Sequence, residues 1–253
     1  MLSRDFLSFL EEKLSHHNHS QFRIKSASPV SGGSINDAYR LDGGDVQFFV
    51  KVNSASRYPG MFEAEAKGLS LLKSAGEIEV PEVIEYGEKD GLSYLILNHI
   101  HSARKKSNFW QEFAEKLAAL HRHSHENFGL DHDNYIGSLR QYNNKHSSWI
   151  EFFIEERLNV QIEMASNSGL MSKSDVDSFT MLFNKLPSIF PVEPPSLIHG
   201  DLWGGNYMSG EEGQPVIIDP AVYYGNREMD LGMSKLFGGF DREFYQAYES
   251  NFP

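Results

Sequence analysis

Apolar residues near the start of the chain recur at the spacing of a helix. Leu2, Phe6, Leu10 and Leu14 stand at four-residue steps, which places them on one face of a helix. The pattern predicts an amphipathic N-terminal helix that packs on the segment behind it.

The pattern changes between about residues 22 and 52. Three runs there are typical of strands, FRIKSASPV, SINDAYRLD and DVQFFVKVN, and residues 42–44 supply an Asp-Gly-Gly turn between the last two. The pattern predicts an antiparallel meander.

Helical spacing returns over residues 61–74, where Phe62, Ala66, Leu69 and Leu72 form an apolar stripe. The segment VPEVIEYGEKDGLSYLILNHI then contains two strand-like runs around a turn at residues 89–91. The first hundred residues therefore predict five strands and one helix.

Beyond Asn98 the apolar spacing is mostly helical. Helices are expected at about 107–124, 148–167 and 174–185, before the proline-rich stretch LPSIFPVEPPS. No Gly/Ser linker separates the two halves. We therefore expect an α+β protein with an N-terminal lobe, residues 1–97, and a mainly helical C-terminal lobe, residues 98–253, joined by a short hinge.

Composition excludes several classes of function. The chain has 23 Lys and Arg against 35 Asp and Glu, a net charge of -12, which argues against binding to nucleic acid or anionic membranes. It contains no cysteine, so thiolate metal sites and disulfides are excluded and a cytoplasmic location is expected. Neither a signal-peptide h-region nor a long apolar span is present.

Polar residues that could carry chemistry follow two apolar runs in the C-terminal half. His199, Asp201 and Asn206 lie in SLIHGDLWGGN, and Asp219 ends the run PVIID. Carboxylate and amide oxygens suit Mg²⁺, which assigns Asn206 and Asp219 as metal ligands. The spacing H-x-D-x-x-x-x-N is that of the protein-kinase catalytic loop, which leaves Asp201 to orient an attacking hydroxyl. Capped turns are the alternative interpretation of each residue taken alone.

A kinase also needs a nucleotide site, and the first half offers candidates. VSGGSINDAYRL places Gly32, Gly33 and Ser34 between two predicted strands, where backbone N–H groups could approach phosphate. A glycine hairpin turn explains this segment equally well.

Lys51 ends the apolar run FFVK on the third strand, where it could reach the α- and β-phosphates. An ordinary strand-end lysine is the alternative. Glu65 shares the buried stripe of the following helix, whereas Glu63 points elsewhere. Because a buried carboxylate needs a partner, we expect Glu65 to pair with Lys51.

Five segments stand in kinase order along the chain: GGSINDAYRL, FFVKVN, FEAEAKGL, HGDLWGGN and IDPAVYYGNREMDLGMSKLFGGF. Together they resemble the fructosamine kinase (ketosamine-3-kinase) family, in the aminoglycoside-phosphotransferase-like branch of the protein-kinase-like fold. The likeness runs nearly end to end, and Trp203 and GNREMDLGM are its most family-specific parts. It implies a two-lobed fold with a five-stranded antiparallel N-terminal sheet.

The resemblance implies ATP- and Mg²⁺-dependent phosphorylation of the sugar 3-hydroxyl of a ketosamine, free or formed on a glycated protein lysine. Such phosphorylation would destabilise the adduct and release the amine. By motif position it implies Asp201 as proton acceptor, Asn206 and Asp219 as Mg²⁺ ligands, Lys51 and Glu65 as an ion pair, and Leu97, Asn98 and His99 as the adenine-contacting hinge.

The sequence departs from the family pattern in three places. Asn98 stands where relatives often have an acidic residue, and the metal aspartate lies in IDP instead of D-F-G. The chain stops at YQAYESNFP, whereas relatives continue into further helices near the substrate side. If those helices are missing through truncation or in a short variant, folding stability or sugar binding could be impaired.

Other interpretations stay open at this stage. Asp230 could hold the catalytic loop or cap a helix beginning at Leu231, and Trp203 could face the substrate or pack under the loop. A metal site could also be suggested by His121, His123 and His125, with His132 nearby, although helix-end packing is favoured because no carboxylate is seen to converge on them. The rival functions are a kinase for another hydroxylated amine, such as an aminoglycoside, choline or homoserine, and a nucleotide-binding pseudoenzyme.

Overall fold

The computed structural model describes residues 2–30 and 35–253. The chain divides into two compact units: Met1–Phe113 with Asn206–Asp219, and Ala114–Gly205 with Pro220–Pro253. The sequence predicts a division at residues 97/98, so this division differs at two places. Residues 98–113 and a later hairpin group with the first unit, and the chain passes between units directly after Gly205 and directly after Asp219.

The first unit combines a five-stranded sheet with helices and a hairpin. Its elements, in chain order, are α1 Arg4–His17, β1 Ser26–Val30, β2 Asp37–Asp42, β3 Gln47–Ser54, α2 Met61–Ala75, β4 Val83–Lys89, β5 Leu92–Asn98, the first turns of α3 Phe109–His121, and later β9 Tyr207–Ser209 and β10 Pro215–Ile217. The five strands and the helix predicted from the first hundred residues are present.

The sheet has the order β1-β2-β3-β5-β4, and every neighbouring pair is antiparallel. Strand β3 is central, so its residues pair on both sides: Lys51 lies opposite Ala38 of β2 and Leu95 of β5. A central strand is rigidly held by two hydrogen-bonded ladders. The position of Lys51 is therefore fixed by the sheet.

Helix α1 forms as its apolar stripe predicts. Ser3 caps it by accepting a hydrogen bond from Phe6 N, a favoured N-cap interaction. Phe6, Leu10 and Leu14 are buried in one hydrophobic cluster with residues of β2, β3 and β5, including Val50. Burying each large apolar side chain contributes about 1.5–3 kcal/mol, so this stripe anchors the helix to the first unit.

The second unit is mainly helical. Its elements are the remainder of α3, β6 Asn134–Ile136, β7 Leu139–Gln141, α4 Trp149–Phe152, a π-helix Phe153–Leu158, α5 Asn159–Asn167, α6 Lys173–Phe183, α7 Leu186–Ile189, β8 Ser196–Ile198, β11 Tyr223–Gly225, α8 Glu228–Lys235, a kinked 3₁₀ turn Leu236–Gly238 and α9 Arg242–Asn251. The short hairpin β6–β7 is not predicted by the sequence pattern.

The helix predicted over residues 148–167 is interrupted by the π-helix. This segment makes polar contacts to an earlier part of the chain: buried Glu156 accepts hydrogen bonds from Asn144 and His146, and Arg157 donates to Asn143 Oδ1. Apolar spacing alone carries no signal for such contacts. Among the described residues, none of the helices has the length and apolar character needed to cross a membrane.

Candidate functional site

Lys51 on β3 bridges two carboxylates within the first unit. Its side chain is buried, and Nζ lies 2.7 Å from Glu65 Oε1 and 2.7 Å from Asp219 Oδ1. The other helical glutamate, Glu63, instead pairs with Lys67 one turn along α2. Glu65, the glutamate on the apolar stripe of α2, is thus the one that contacts Lys51.

The two carboxylates keep Lys51 charged. Burial lowers the pKa of the ammonium, but the charges and hydrogen bonds of Glu65 and Asp219 outweigh burial, so that the pKa of Lys51 is raised. Burial raises the pKa of Glu65, and the Lys51 charge opposes that effect. The buried ammonium is therefore charged, and of its two partner carboxylates that of Asp219 is half-exposed.

Asn206 and Asp219 stand at the open end of the β9–β10 hairpin. Ile218 N donates to Asn206 O at 3.0 Å. Because Ile218 directly precedes Asp219, this hydrogen bond links the backbone segments of the two predicted metal ligands. The hairpin is fixed to the first unit, because Ile217 N donates to Glu79 O at 3.0 Å and Gln214 Nε2 donates to Glu79 Oε2 at 2.6 Å.

Asp219 has a strained backbone. Its φ is +56°, a region that residues other than glycine seldom adopt and that costs of order 1–3 kcal/mol. Such strain persists where the surrounding structure holds it, and it clusters at functional sites. In this conformation the Asp219 carboxylate reaches Lys51.

The predicted catalytic loop follows β8 in the second unit. His199 is fully buried and accepts a hydrogen bond at Nδ1 from Asp201 N, at 3.3 Å. Gly200 has φ +83°, and a Cβ there would lie 2.1 Å from Ala221 O. Only glycine fits at this turn. The partly exposed Asp201 therefore follows two residues whose positions are tightly fixed.

The Asp230 side chain binds the backbone of this loop. Its carboxylate is fully buried and accepts hydrogen bonds from His199 N at 2.7 Å and Gly200 N at 2.9 Å. Burial raises the pKa of Asp230, but the His121 side chain and the His199 backbone outweigh it and the pKa is lowered. Helix α8 begins at Glu228, so Asp230 lies inside the helix and the alternative of an N-cap is wrong.

The sequence pattern did not predict the link between His121 and the catalytic loop. His121 Nε2 lies 3.2 Å from Asp230 Oδ2, and its Nδ1 lies 2.6 Å from Tyr248 Oη. The sequence feature that indicates its burial is the four-residue spacing from buried Leu117 on α3, which puts the imidazole on the buried face of the helix. A carboxylate does converge on this histidine, and it links the histidine to the catalytic loop.

The structure does not favour a metal site at the histidines after α3. His132 Nδ1 pairs with Asp131, and His125 Nδ1 accepts from Asn127 N. Within residues 2–30 and 35–253, the group of three His, Asp or Glu side chains that lie close enough together to hold a metal is His146, Glu155 and Glu156. Glu156 there already accepts hydrogen bonds from Asn144 and His146.

The predicted hinge lies at the end of β5. Leu97 is buried, the Asn98 side chain accepts from Glu82 N at 2.6 Å, and His99 N donates to Gln47 O at 3.3 Å. Asn98 thus binds the backbone of the start of β4. His99 Nδ1 is buried with no hydrogen-bond partner in the described part of the chain, and burial, followed by the neighbouring His101, lowers the pKa of His99.

Two predicted elements remain to be placed. Gly32, Gly33 and Ser34 fall in residues 31–34, outside the described residues.

The Trp203 ring meets the ring of Phe237 edge-on, with centroids 5.4 Å apart at an interplanar angle of 68°. The Trp203 side chain is partly buried, so Trp203 is not a core residue.

Comparison with known proteins assigns the family. A family profile described as Fructosamine kinase matches residues 7–253. A Vibrio parahaemolyticus protein named as a candidate ketoamine kinase is 38% identical over 237 residues, 92% of this chain and 80% of that protein. The protein-ribulosamine 3-kinase of Arabidopsis thaliana is 40% identical over 237 residues, 91% of this chain and 71% of that protein.

Solved structures agree in fold. A Haemophilus somnus protein named as a candidate fructosamine-3-kinase superposes with a TM-score of 0.88 and 31% identity, covering 96% of this chain and 82% of that one. An aminoglycoside phosphotransferase superposes with a TM-score of 0.64 and 15% identity, covering 95% and 81%, which indicates a shared fold alone. The expected protein-kinase-like α+β fold is confirmed.

Proposed function

The chain belongs to the fructosamine kinase family, and we propose that it transfers the γ-phosphoryl group of ATP to the 3-hydroxyl of a ketosamine. The family match over residues 7–253 carries this proposal, and the names of the relatives support the acceptor and the position. The acceptor is a fructosamine or ribulosamine, either free or on a glycated protein lysine, and phosphorylation is a step towards releasing the amine.

Asp201 is the proposed proton acceptor. The acceptor hydroxyl oxygen forms a bond to the γ-phosphorus, the bond from that phosphorus to the β-γ bridging oxygen breaks, ADP leaves and the hydroxyl proton passes to the Asp201 carboxylate. Phosphoryl transfer of this kind depends mainly on positioning and charge stabilisation. The support for the role is the fixed turn before Asp201, in which Asp230 binds His199 N and Gly200 N.

Lys51 is the proposed ligand of the nucleotide phosphates, held by Glu65. Its support is a charged ammonium fixed on the central strand with a carboxylate 2.7 Å away. Leu97, Asn98 and His99 are the proposed contacts of the adenine. His99 Nδ1, which has no hydrogen-bond partner among the described residues, offers one polar atom to a ligand. Gly32, Gly33 and Ser34 complete the nucleotide assignments and rest on the sequence alone.

Mg²⁺ fits the oxygen donors at the end of the β9–β10 hairpin. Asn206 and Asp219 provide an amide oxygen and a carboxylate, and Mg²⁺ is usually bound by one or two protein oxygens together with substrate phosphates. The hydrogen bond from Ile218 N to Asn206 O fixes the two residues on neighbouring backbone segments. When bound, the ion would neutralise charge on the transferring phosphate.

The test is an acceptor comparison on the purified chain. ADP release is measured with Mg-ATP and fructosyl-lysine, ribulosyl-lysine, an aminoglycoside, choline or homoserine, and products are identified by mass and NMR. We expect phosphate at the 3-hydroxyl of the two ketosamines. ATP binding without a phosphorylated ketosamine would contradict the proposal. A phosphorylated product from one of the other amines alone would identify the chain as a kinase for that amine.

A further inference from the structure

The turn after α8 holds an aromatic residue in a strained backbone. Phe237 has φ +54° and ψ +34°, the left-handed region in which a bulky side chain is a genuine outlier. The next two residues, Gly238 and Gly239, also have positive φ, +109° and +74°, but glycine adopts such angles without cost. Of these three residues with positive φ, Phe237 alone carries a side chain, so the strain is concentrated there.

Burial does not compensate for this strain. The Phe237 side chain is 78% exposed, so its large apolar ring gains little from removal from water. The ring contacts Trp203 edge-on at a centroid distance of 5.4 Å. The backbone strain at Phe237 therefore has no compensation from burial, and such an outlier points to function.

Trp203 connects this turn to the predicted catalytic base. It lies two residues after Asp201, and Trp203 N donates to Asp201 O at 3.2 Å in a tight turn. A Cβ on Gly205 would lie 2.3 Å from the Trp203 ring, so the absence of a side chain there gives the indole its place. The aromatic pair and Asp201 all belong to the second unit.

We propose that Phe237 and Trp203, whose rings meet edge-on, form a two-sided aromatic corner for the phosphoryl acceptor, here named the aromatic clamp, with Phe237 as a specificity-determining residue. The inference rests on the proposed function, whose acceptor carries a sugar and an amine. An aromatic face packs against the C–H face of a sugar, and it attracts the protonated amine through its quadrupole. The clamp therefore suits an acceptor that carries both groups.

Phe237→Gly separates this role from a structural one. Glycine relieves the strain, so the free energy of unfolding should stay equal or rise, while loss of the ring should raise the KM for fructosyl-lysine at least tenfold. The KM for ATP should stay within twofold of the native value. Phe237→Tyr keeps an aromatic face and should retain the native KM for the acceptor.

Phe237→Gly both relieves backbone strain and removes an exposed apolar side chain, and each effect has its own control. Asp90→Gly relieves strain at an exposed turn residue with φ +53° in the first unit, and Leu236→Ala removes an exposed apolar side chain of the same turn as Phe237. Neither should change the KM for the acceptor. Direct binding of fructosyl-lysine in the presence of ADP, measured by calorimetry, should weaken in Phe237→Gly alone.

The outcomes separate this inference from the proposed function. If the native chain phosphorylates fructosyl-lysine and Phe237→Gly has an unchanged acceptor KM, the clamp is wrong and the proposed function stands. If the native chain neither binds nor phosphorylates any ketosamine, the proposed function is wrong and the clamp is rejected with it. A tenfold loss of acceptor affinity in Phe237→Gly without loss of stability supports the clamp.

Discussion

Replacing the buried carboxylate of Asp230 tests how the catalytic loop is held. Asp230→Asn keeps the size of the side chain but replaces one oxygen by an NH₂ group, which donates. Two backbone N–H groups, those of His199 and Gly200, and His121 Nε2 lie within hydrogen-bond distance of the native carboxylate. The asparagine can accept with one oxygen, so at least one buried backbone donor then faces another donor.

The expected loss follows from these contacts. A hydrogen bond to a charged group contributes about 1.5–3 kcal/mol, and an unsatisfied buried donor costs about 1–3 kcal/mol. One lost charge-assisted bond together with one unsatisfied donor predicts a fall of about 2.5–6 kcal/mol in the free energy of unfolding. Urea titration at pH 7 measures it, with Glu228→Gln as the control because that carboxylate is exposed on the same helix.

The pH dependence supplies an independent check. Since the folded structure lowers the pKa of Asp230, the group stabilises the native protein above its unfolded pKa of 3.8, and that contribution is lost as the pH falls through the folded pKa. Asp230→Asn should therefore destabilise the protein at pH 7 and lose less stability than the native chain on acidification. A loss below about 1 kcal/mol at pH 7, with an unchanged acid profile, would refute the reasoning.

Three further substitutions probe the predicted site. Lys51→Met leaves buried Glu65 without its cation, so the pKa of Glu65 should rise further, and urea titrations should find the variant more stable at pH 5 than at pH 8; equal stability at both would contradict the pairing. Gly200→Ala should lower the free energy of unfolding by more than about 1 kcal/mol, because its Cβ meets Ala221 O; a native thermal melt would contradict this. Asp219→Asn should raise the Mg²⁺ concentration for half-maximal turnover at least tenfold, and an unchanged Mg²⁺ titration would remove Asp219 from the metal site.

Local patterns predicted the elements and the ion pair of the first unit. The stripe over residues 61–74 predicted both the helix and the choice of Glu65, because one helical face decides which glutamate turns inward. Lys51 was predicted from its place at the end of an apolar strand. The roles of these residues in catalysis stay predictions until they are measured.

Contacts between distant residues could not be predicted from the sequence. His121 and Tyr248, which hold each other, are separated by 127 positions, and no local spacing reports such a pair. The second carboxylate on Lys51, that of Asp219, depends on a strained φ that residue type disfavours. The strain at Phe237 could not be predicted for the same reason, since a positive φ is disfavoured for a bulky residue.

The measurement that tests the central claim most directly is the turnover of Asp201→Asn with Mg-ATP and fructosyl-lysine, together with its affinity for ATP. Removing the proton acceptor should lower kcat at least a hundredfold, in keeping with the roughly 10²–10⁴-fold contribution of general base catalysis, while the Kd for ATP stays within twofold. Near-native kcat in Asp201→Asn would contradict the assignment of the catalytic loop and the mechanism built on it.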